Sequence, residues 1–262
     1  MDALFEHMIS RLETLAENDK INGLREIIQQ ITLAGLNRDG FFDHAAFRGN
    51  SCLRMLHGIS LPLEEMEFSL LQTDKPVDPG NYIEAITTEF RAAGQEVIIE
   101  KDAGSPTLKA YRLQLPEQQA DLAIKINTRP LAGFTTEHNP LAAPFSLMIR
   151  CYALTDLHAE KTRTLLFHNP GGRDWYDFEW CVRRDVPLHF AYLQQQVKHL
   201  NAIPESNFSI DHFKELLREK IMEMNVDAAK NDLIHLVKDP ARVSSWNRNH
   251  FLRIAEKIRI DE

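Results

Sequence analysis

The sequence predicts an α/β (α+β) fold, a mixed sheet flanked by helices and followed by a C-terminal helical bundle. Three observations predict it. Strand-like segments alternate with amphipathic helical ones between about residue 40 and residue 152. From Thr155 onward the periodicity is helical throughout. A hydrophobic fraction of 44% with 26% charged residues over 262 residues is that of an ordinary globular chain with enough length for a full core.

Taken in order, Leu4, Met8, Leu12 and Leu15, then Leu24, Ile27, Ile28 and Ile31, recur at three- and four-residue spacing and predict two amphipathic helices up to Leu36. The turn-rich Asn37 to Gly40 breaks that pattern. Ala45 to Phe47 reads as a strand, followed by a tight turn at Gly49 and a helix from Ser51 to His57 that Gly58 stops. Met66 to Leu71 alternates as a strand, and Tyr82 to Ala93 is an amphipathic helix ended by Gly94. Strands are expected at 96–101, 108–115, 122–128 and 146–152, and helices at 155–168, 173–184, 188–200, 210–224, 226–237 and 244–258. Pro204, Ser206 and Asn207 interrupt the helical pattern, which places a domain boundary near 201–207: residues 1–200 form the sheet domain with its N-terminal helices, and 201–262 a helical domain.

Composition excludes several classes. Cys52, Cys151 and Cys181 are too few and too scattered for a disulfide framework, and none forms a CxxC pair. The eleven histidines show no HExxH or comparable spacing, so no metal is assigned to them. The acidic, amphipathic start lacks a signal-peptide pattern, and no apolar run approaches the ~20 residues of a membrane span. The cytoplasm is the expected compartment, with no membrane partner. A net charge of −8 argues against broad electrostatic binding of nucleic acid. Lys238 to Arg259 reverses that balance locally, as a solvated helix face or as a patch for an anionic partner.

Four segments carry candidate chemistry. Gly49, Asn50 and Ser51 join a strand to a helix, where glycine admits a close ligand and helix N–H groups hold anions such as a triphosphate; an ordinary strand–turn–helix joint uses the same residues. Glu65 and Glu67, two apart in a strand, share a face and form an oxygen-donor pair suited to Mg²⁺, or a solvated sheet edge. Lys161 interrupts an apolar stripe of Leu154, Leu157, Leu165 and His168, to meet a phosphate, to pair with a buried carboxylate or to reach back to water. Asp174 and Asp177 share a face at the start of a helix that follows Gly171 and Gly172, where its dipole stabilises acids whatever their role.

The order and spacing of these segments resemble the AbiEii/AbiGii-type nucleotidyltransferase toxins. The resemblance runs from about residue 40 to 185, through Ala46-Phe47-Arg48-Gly49-Asn50-Ser51, Leu63-Glu64-Glu65-Met66-Glu67-Phe68, Leu122 to Arg129, Glu160-Lys161 and Arg173-Asp174-Trp175-Tyr176-Asp177. It implies a nucleotidyltransferase-like sheet in which strand carboxylates hold Mg²⁺ and an NTP. It also implies transfer of NMP to an acceptor, for some relatives the tRNA 3′ end, under control of a separately encoded antitoxin protein. On that reading Gly49, Asn50, Ser51, Lys125 and Arg173 bind the nucleotide, Glu65 and Glu67 bind metal, Lys161 contacts the nucleotide, and Asp174 and Asp177 orient the acceptor or assist proton removal.

This chain departs from the family pattern at Glu65 and Glu67, which replace aspartates, at Leu61 and Leu63, which replace an arginine and a serine, and at Lys125, which replaces a glutamate. Two functions therefore stay open: a Mg²⁺-dependent transferase, and a silent member whose cleft binds a nucleotide, an RNA or a protein.

Overall fold

The computed structural model describes residues 2–13, 17–62, 65–71, 78–105, 107–116, 120–141, 144–200 and 208–261. The chain forms two compact units. The first comprises 1–58, 62–130 and 136–152, and the second 59–61, 131–135 and 153–262.

In the first unit, α1 (Asp2–Ser10) and α2 (Glu17–Arg38) precede β1 (Ala45–Arg48), α3 (Gly49–His57), β2 (Met66–Leu70) and α4 (Ile83–Ala92). There follow β3 (Ile98–Ser105), β4 (Leu108–Leu115), β5 (Ala120–Asn127), β6 (Thr136–Pro140) and β7 (Met148–Tyr152). The seven strands make one mixed sheet in the order β3-β4-β5-β2-β1-β7-β6. β5 runs parallel to β2, and β7 parallel to β1; the other pairs are antiparallel. Phe41, Phe47 and Phe68 are buried against one another, with ring centroids 5.1 Å apart for Phe47–Phe68 and 5.3 Å for Phe41–Phe68, so the aromatic core sits beneath β1 and β2. Gly35 lets α2 lie close on α4: a Cβ there would come within 2.8 Å of the Ile86 backbone.

In the second unit, α5 (Leu154–Phe167) and α6 (Gly172–Arg183) lead through β8 (Leu188–His189) into α7 (Phe190–His199), α8 (Ile210–Glu223), α9 (Val226–Leu233), α10 (Pro240–Ser244) and α11 (Arg248–Ala255). β9 (Ile260–Asp261) pairs in parallel with β8. Two aromatic clusters fill this unit. One joins Phe190, Phe208 and Phe213, the other Trp175, Trp246 and Phe251. Both tie helices before residue 200 to helices after residue 208. The longest segment of the second unit begins at Ala153, and the boundary expected near 201–207 lies outside the described residues.

The strand inventory is larger than expected from sequence. β6 was missed because TEHNP is polar on both faces, as a sheet edge allows, and ends in a proline that an edge strand tolerates. β8 and β9, two residues each, are too short to show a period. The helix expected over 244–258 is divided between α10 and α11, where Asn247 caps the second by accepting the His250 N–H at 2.9 Å.

Candidate active site

The first group of site residues is built at the β1–α3 joint. Gly49 has φ +76°, a conformation that a Cβ disfavours, and a Cβ at this position would meet Glu67 Oε1 at 2.6 Å. Glycine is thus needed both for the turn and to leave room for the Glu67 carboxylate. Ser51 is buried; its hydroxyl donates to the Glu65 carbonyl at 2.9 Å and accepts from the Gln29 amide at 3.1 Å. This hydroxyl fastens α3 and α2 to the start of β2. Asn50, beside it in the first turn of α3, is half-buried.

Strand register then assembles the charges. Arg48 pairs with Glu67 across β1–β2, and Glu67 with Lys125 across β2–β5, so the three side chains form one row on one face. Glu65, two residues before Glu67, joins that face. Lys125 Nζ lies 2.5 Å from Glu65 Oε2, and Arg48 Nη2 3.9 Å from Glu67 Oε2. The Arg48 guanidinium also lies over the Tyr152 ring, 5.4 Å from its centroid. The two carboxylates are about one-third exposed, at 32% and 33%. With Ser105, Thr107 and Asn127 they line an open concavity of about 410 Å³. Two carboxylates and two cations leave this surface near neutrality.

Oxygen donors sharing a face suit a hard cation such as Mg²⁺. Glu65 and Glu67 offer two such donors, each already facing a protein cation. Where the resemblance supplies a third carboxylate, an ammonium stands against Glu65. Leu63 and Glu64 lie outside the described residues.

The second group lies in the other unit. Lys161 on α5 reaches Asp177 on α6, Nζ to Oδ2 at 2.9 Å, with the Asp177 side chain only 2% exposed. Of the alternatives open for Lys161, the structure shows the buried pair. Burial pushes the Asp177 carboxyl above the ordinary range, while Lys161 and then Arg173 oppose that rise. Burial, followed by the nearby Asp177 charge, also raises the Cys181 thiol. Asp174 acts locally, accepting the Gly171 N–H at 2.9 Å and so capping the first turn of α6.

Sequence reasoning missed Arg48, whose signal lay in its register opposite Glu67. It also missed Glu179, a buried carboxylate bonded to Arg183, Arg242, Trp246 and His250 at 2.9 to 3.2 Å. The basic stretch near the C-terminus is partly consumed by such bonds. Arg242 holds Glu179, Arg248 donates to the Met224 carbonyl, and Arg259 pairs with Asp185.

The family described as nucleotidyl transferase AbiEii toxin, type IV toxin–antitoxin system, matches residues 31–252. The chain belongs to the AbiEii family. Among solved structures, this AbiEii protein is similar to JHP933 from Helicobacter pylori, with a TM-score of 0.57 and 13% identity over 93% of this chain and 92% of that one. It is also similar to MenT4, a nucleotidyltransferase toxin from Mycobacterium tuberculosis, with a TM-score of 0.55 and 14% identity over 99% of both chains. At that identity the likeness establishes the fold, which is the mixed nucleotidyltransferase sheet with flanking helices. No curated protein sequence matches the chain. Among the described residues, no helix is long and apolar enough to cross a membrane.

Proposed function

We propose that this AbiEii-family toxin transfers a nucleoside monophosphate from an NTP to an RNA hydroxyl, with the tRNA 3′ end as the acceptor to examine first, and that a cognate antitoxin restrains it in the cytoplasm. The observation carrying this reading is the placement of Glu67 in β2 and Glu65 just before it around one concavity, beside a glycine-opened helix N-terminus. Glu65 and Glu67 are the residues that would hold Mg²⁺, and the ion would supply neutralisation of phosphate charge. In the transfer, the acceptor oxygen bonds to the α-phosphorus and pyrophosphate departs.

The protein's own groups have separable roles in this scheme. Backbone N–H groups at Gly49, Asn50 and Ser51 face phosphate oxygens, aided by the α3 dipole. Lys125 supplies fixed positive charge next to Glu65, and Arg48 does so next to Glu67. Lys161 contributes a cation held in one position by Asp177, with Arg173 beside them. Asp177 therefore positions Lys161, and Asp174 positions the helix that carries Asp177.

The test is pyrophosphate release in the presence of NTP, Mg²⁺ and bacterial RNA. Release that depends on all three, and that Glu67→Gln abolishes without moving the urea midpoint, supports the assignment. Undiminished release by Glu67→Gln refutes the metal role of Glu67.

A second reading rests on the Lys125–Glu65 and Arg48–Glu67 pairs. Carboxylates already neutralised by protein cations make a surface that binds a nucleotide, an RNA or a protein without metal and without turnover. NTP binding of equal strength with and without Mg²⁺ supports this silent reading, whereas the transferase reading requires Mg²⁺ to tighten it.

A further inference from the structure

On the sheet face opposite the Glu67 row, three ligand-type side chains converge. Phe47 pairs with Cys151 across β1–β7, and Cys151 with Glu137 across β7–β6, so Cys151 and Glu137 share the Phe47 face while Arg48 and Glu67 lie on the other. Helix α3 delivers Cys52 and, as its last residue, His57. The two sulfurs and a ring nitrogen of His57 all lie within 4.8 Å of one another.

Burial makes this cluster unusual. Both cysteines are completely enclosed and form no disulfide. The His57 side chain is 9% exposed, and its Nε2 is shut off from solvent with no hydrogen-bond partner; Glu137 Oε1 is 3.9 Å away. A buried polar atom left unsatisfied costs stability, and a ligand that accepts its lone pair removes the cost.

We propose that Cys52, His57 and Cys151 form a Zn²⁺ site, with Glu137 as the nearest fourth ligand, which staples α3 to the β6–β7 edge of the sheet. Two thiolates, an imidazole and a carboxylate are donors that Zn²⁺ accepts in tetrahedral geometry, with Zn–S about 2.3 Å and Zn–N about 2.0 Å. Those bond lengths place ligand atoms roughly 3.5 to 3.8 Å apart, so about an ångström of closure converts the observed cluster into a bound site. A supporting shell is in place: the Asn139 amide donates to Cys151 Sγ at 3.3 Å and to Glu137 Oε1 at 2.7 Å. The four ligands come from three separate elements, which is why no sequence spacing announces them.

The test uses the full chain purified under reducing conditions and dialysed against metal-free buffer. Elemental analysis is expected to find equimolar zinc. After stripping, titration with Co²⁺ alone is expected to give thiolate-to-cobalt charge-transfer absorption. Cys151→Ser and His57→Ala lose both signals, and Asn139→Ala weakens Co²⁺ binding about 10- to 100-fold. Circular dichroism reports whether the variants fold; if they do not, the wild-type zinc content and cobalt spectrum decide. Negligible zinc together with no charge-transfer band in the wild type overturns the proposal, as does a Cys52–Cys151 disulfide that persists in place of the free thiols. Because the readout is metal content and absorption, the result stands whether or not the chain transfers nucleotides.

Discussion

Gly49 is where backbone and side-chain requirements meet. Its positive φ and its approach to Glu67 each disfavour a Cβ. Gly49→Ala is expected to lose about 1–3 kcal/mol, measured by urea unfolding, because the left-handed backbone is strained and the Glu67 carboxylate must move. That the sequence pointed to this glycine follows from the strand–turn–helix pattern around it. The bonds of the Ser51 hydroxyl were not legible, because a hydroxyl at a helix start looks the same whether it faces a ligand or a neighbouring carbonyl. Glu65 and Glu67 could be placed on one face from a two-residue period. The ammonium at Glu65 could not be foreseen from that period, since it depends on the parallel register of β2 with β5. Lys125→Glu restores the carboxylate of the family pattern, and Mg²⁺ is expected to bind this variant more tightly than wild type in a calorimetric titration. Unchanged affinity would show that Lys125 does not govern the charge of the concavity.

At the scale of elements, α6 carries two buried carboxylates with opposite pH behaviour. Burial alone would raise Glu179, but Arg242 and His250 overcome it and hold the carboxyl below the ordinary value of about 4.3. A carboxyl lowered in the folded state contributes stability above its unfolded value, and that contribution is lost as pH falls through the folded value. Glu179→Gln is therefore expected to lower stability by about 3 kcal/mol at neutral pH and to flatten the acid limb of a plot of urea midpoint against pH. Asp177 has the reverse sign. Its raised carboxyl makes ionisation costly, and Lys161 offsets that cost. Lys161→Met is expected to destabilise by about 3–5 kcal/mol at neutral pH. The loss should shrink as pH falls and Asp177 takes up a proton, and Lys161→Met combined with Asp177→Asn should recover much of it. A loss independent of pH would contradict the pairing. Lys161 was conspicuous in sequence because a cation breaks an apolar stripe. Glu179 was not, since its partners Arg242, Trp246 and His250 lie more than sixty residues away and no local period links them.

Across the whole molecule, the interleaved strands and helices and the helical remainder were readable because each long element repeats its apolar positions many times. The division into units was not, because it depends on which helices share aromatic clusters, and Phe190, Phe208 and Phe213 join the helices on either side of the expected boundary. The charge of −8, and the engagement of Arg242, Arg248 and Arg259 within the protein, argue that any RNA acceptor is held by a restricted cationic surface and not by a global field. Nucleotide transfer by an AbiEii-family chain with altered carboxylates is put to its hardest trial by incubating the protein with Mg²⁺, total bacterial RNA and each NTP labelled at the α-phosphate, then resolving the RNA on a denaturing gel. Label is expected on a discrete RNA band, in the tRNA size range if the 3′ end of tRNA is the acceptor. Unlabelled RNA with every NTP, from protein that still binds nucleotide, would rule out transfer and establish the silent binding module in its place.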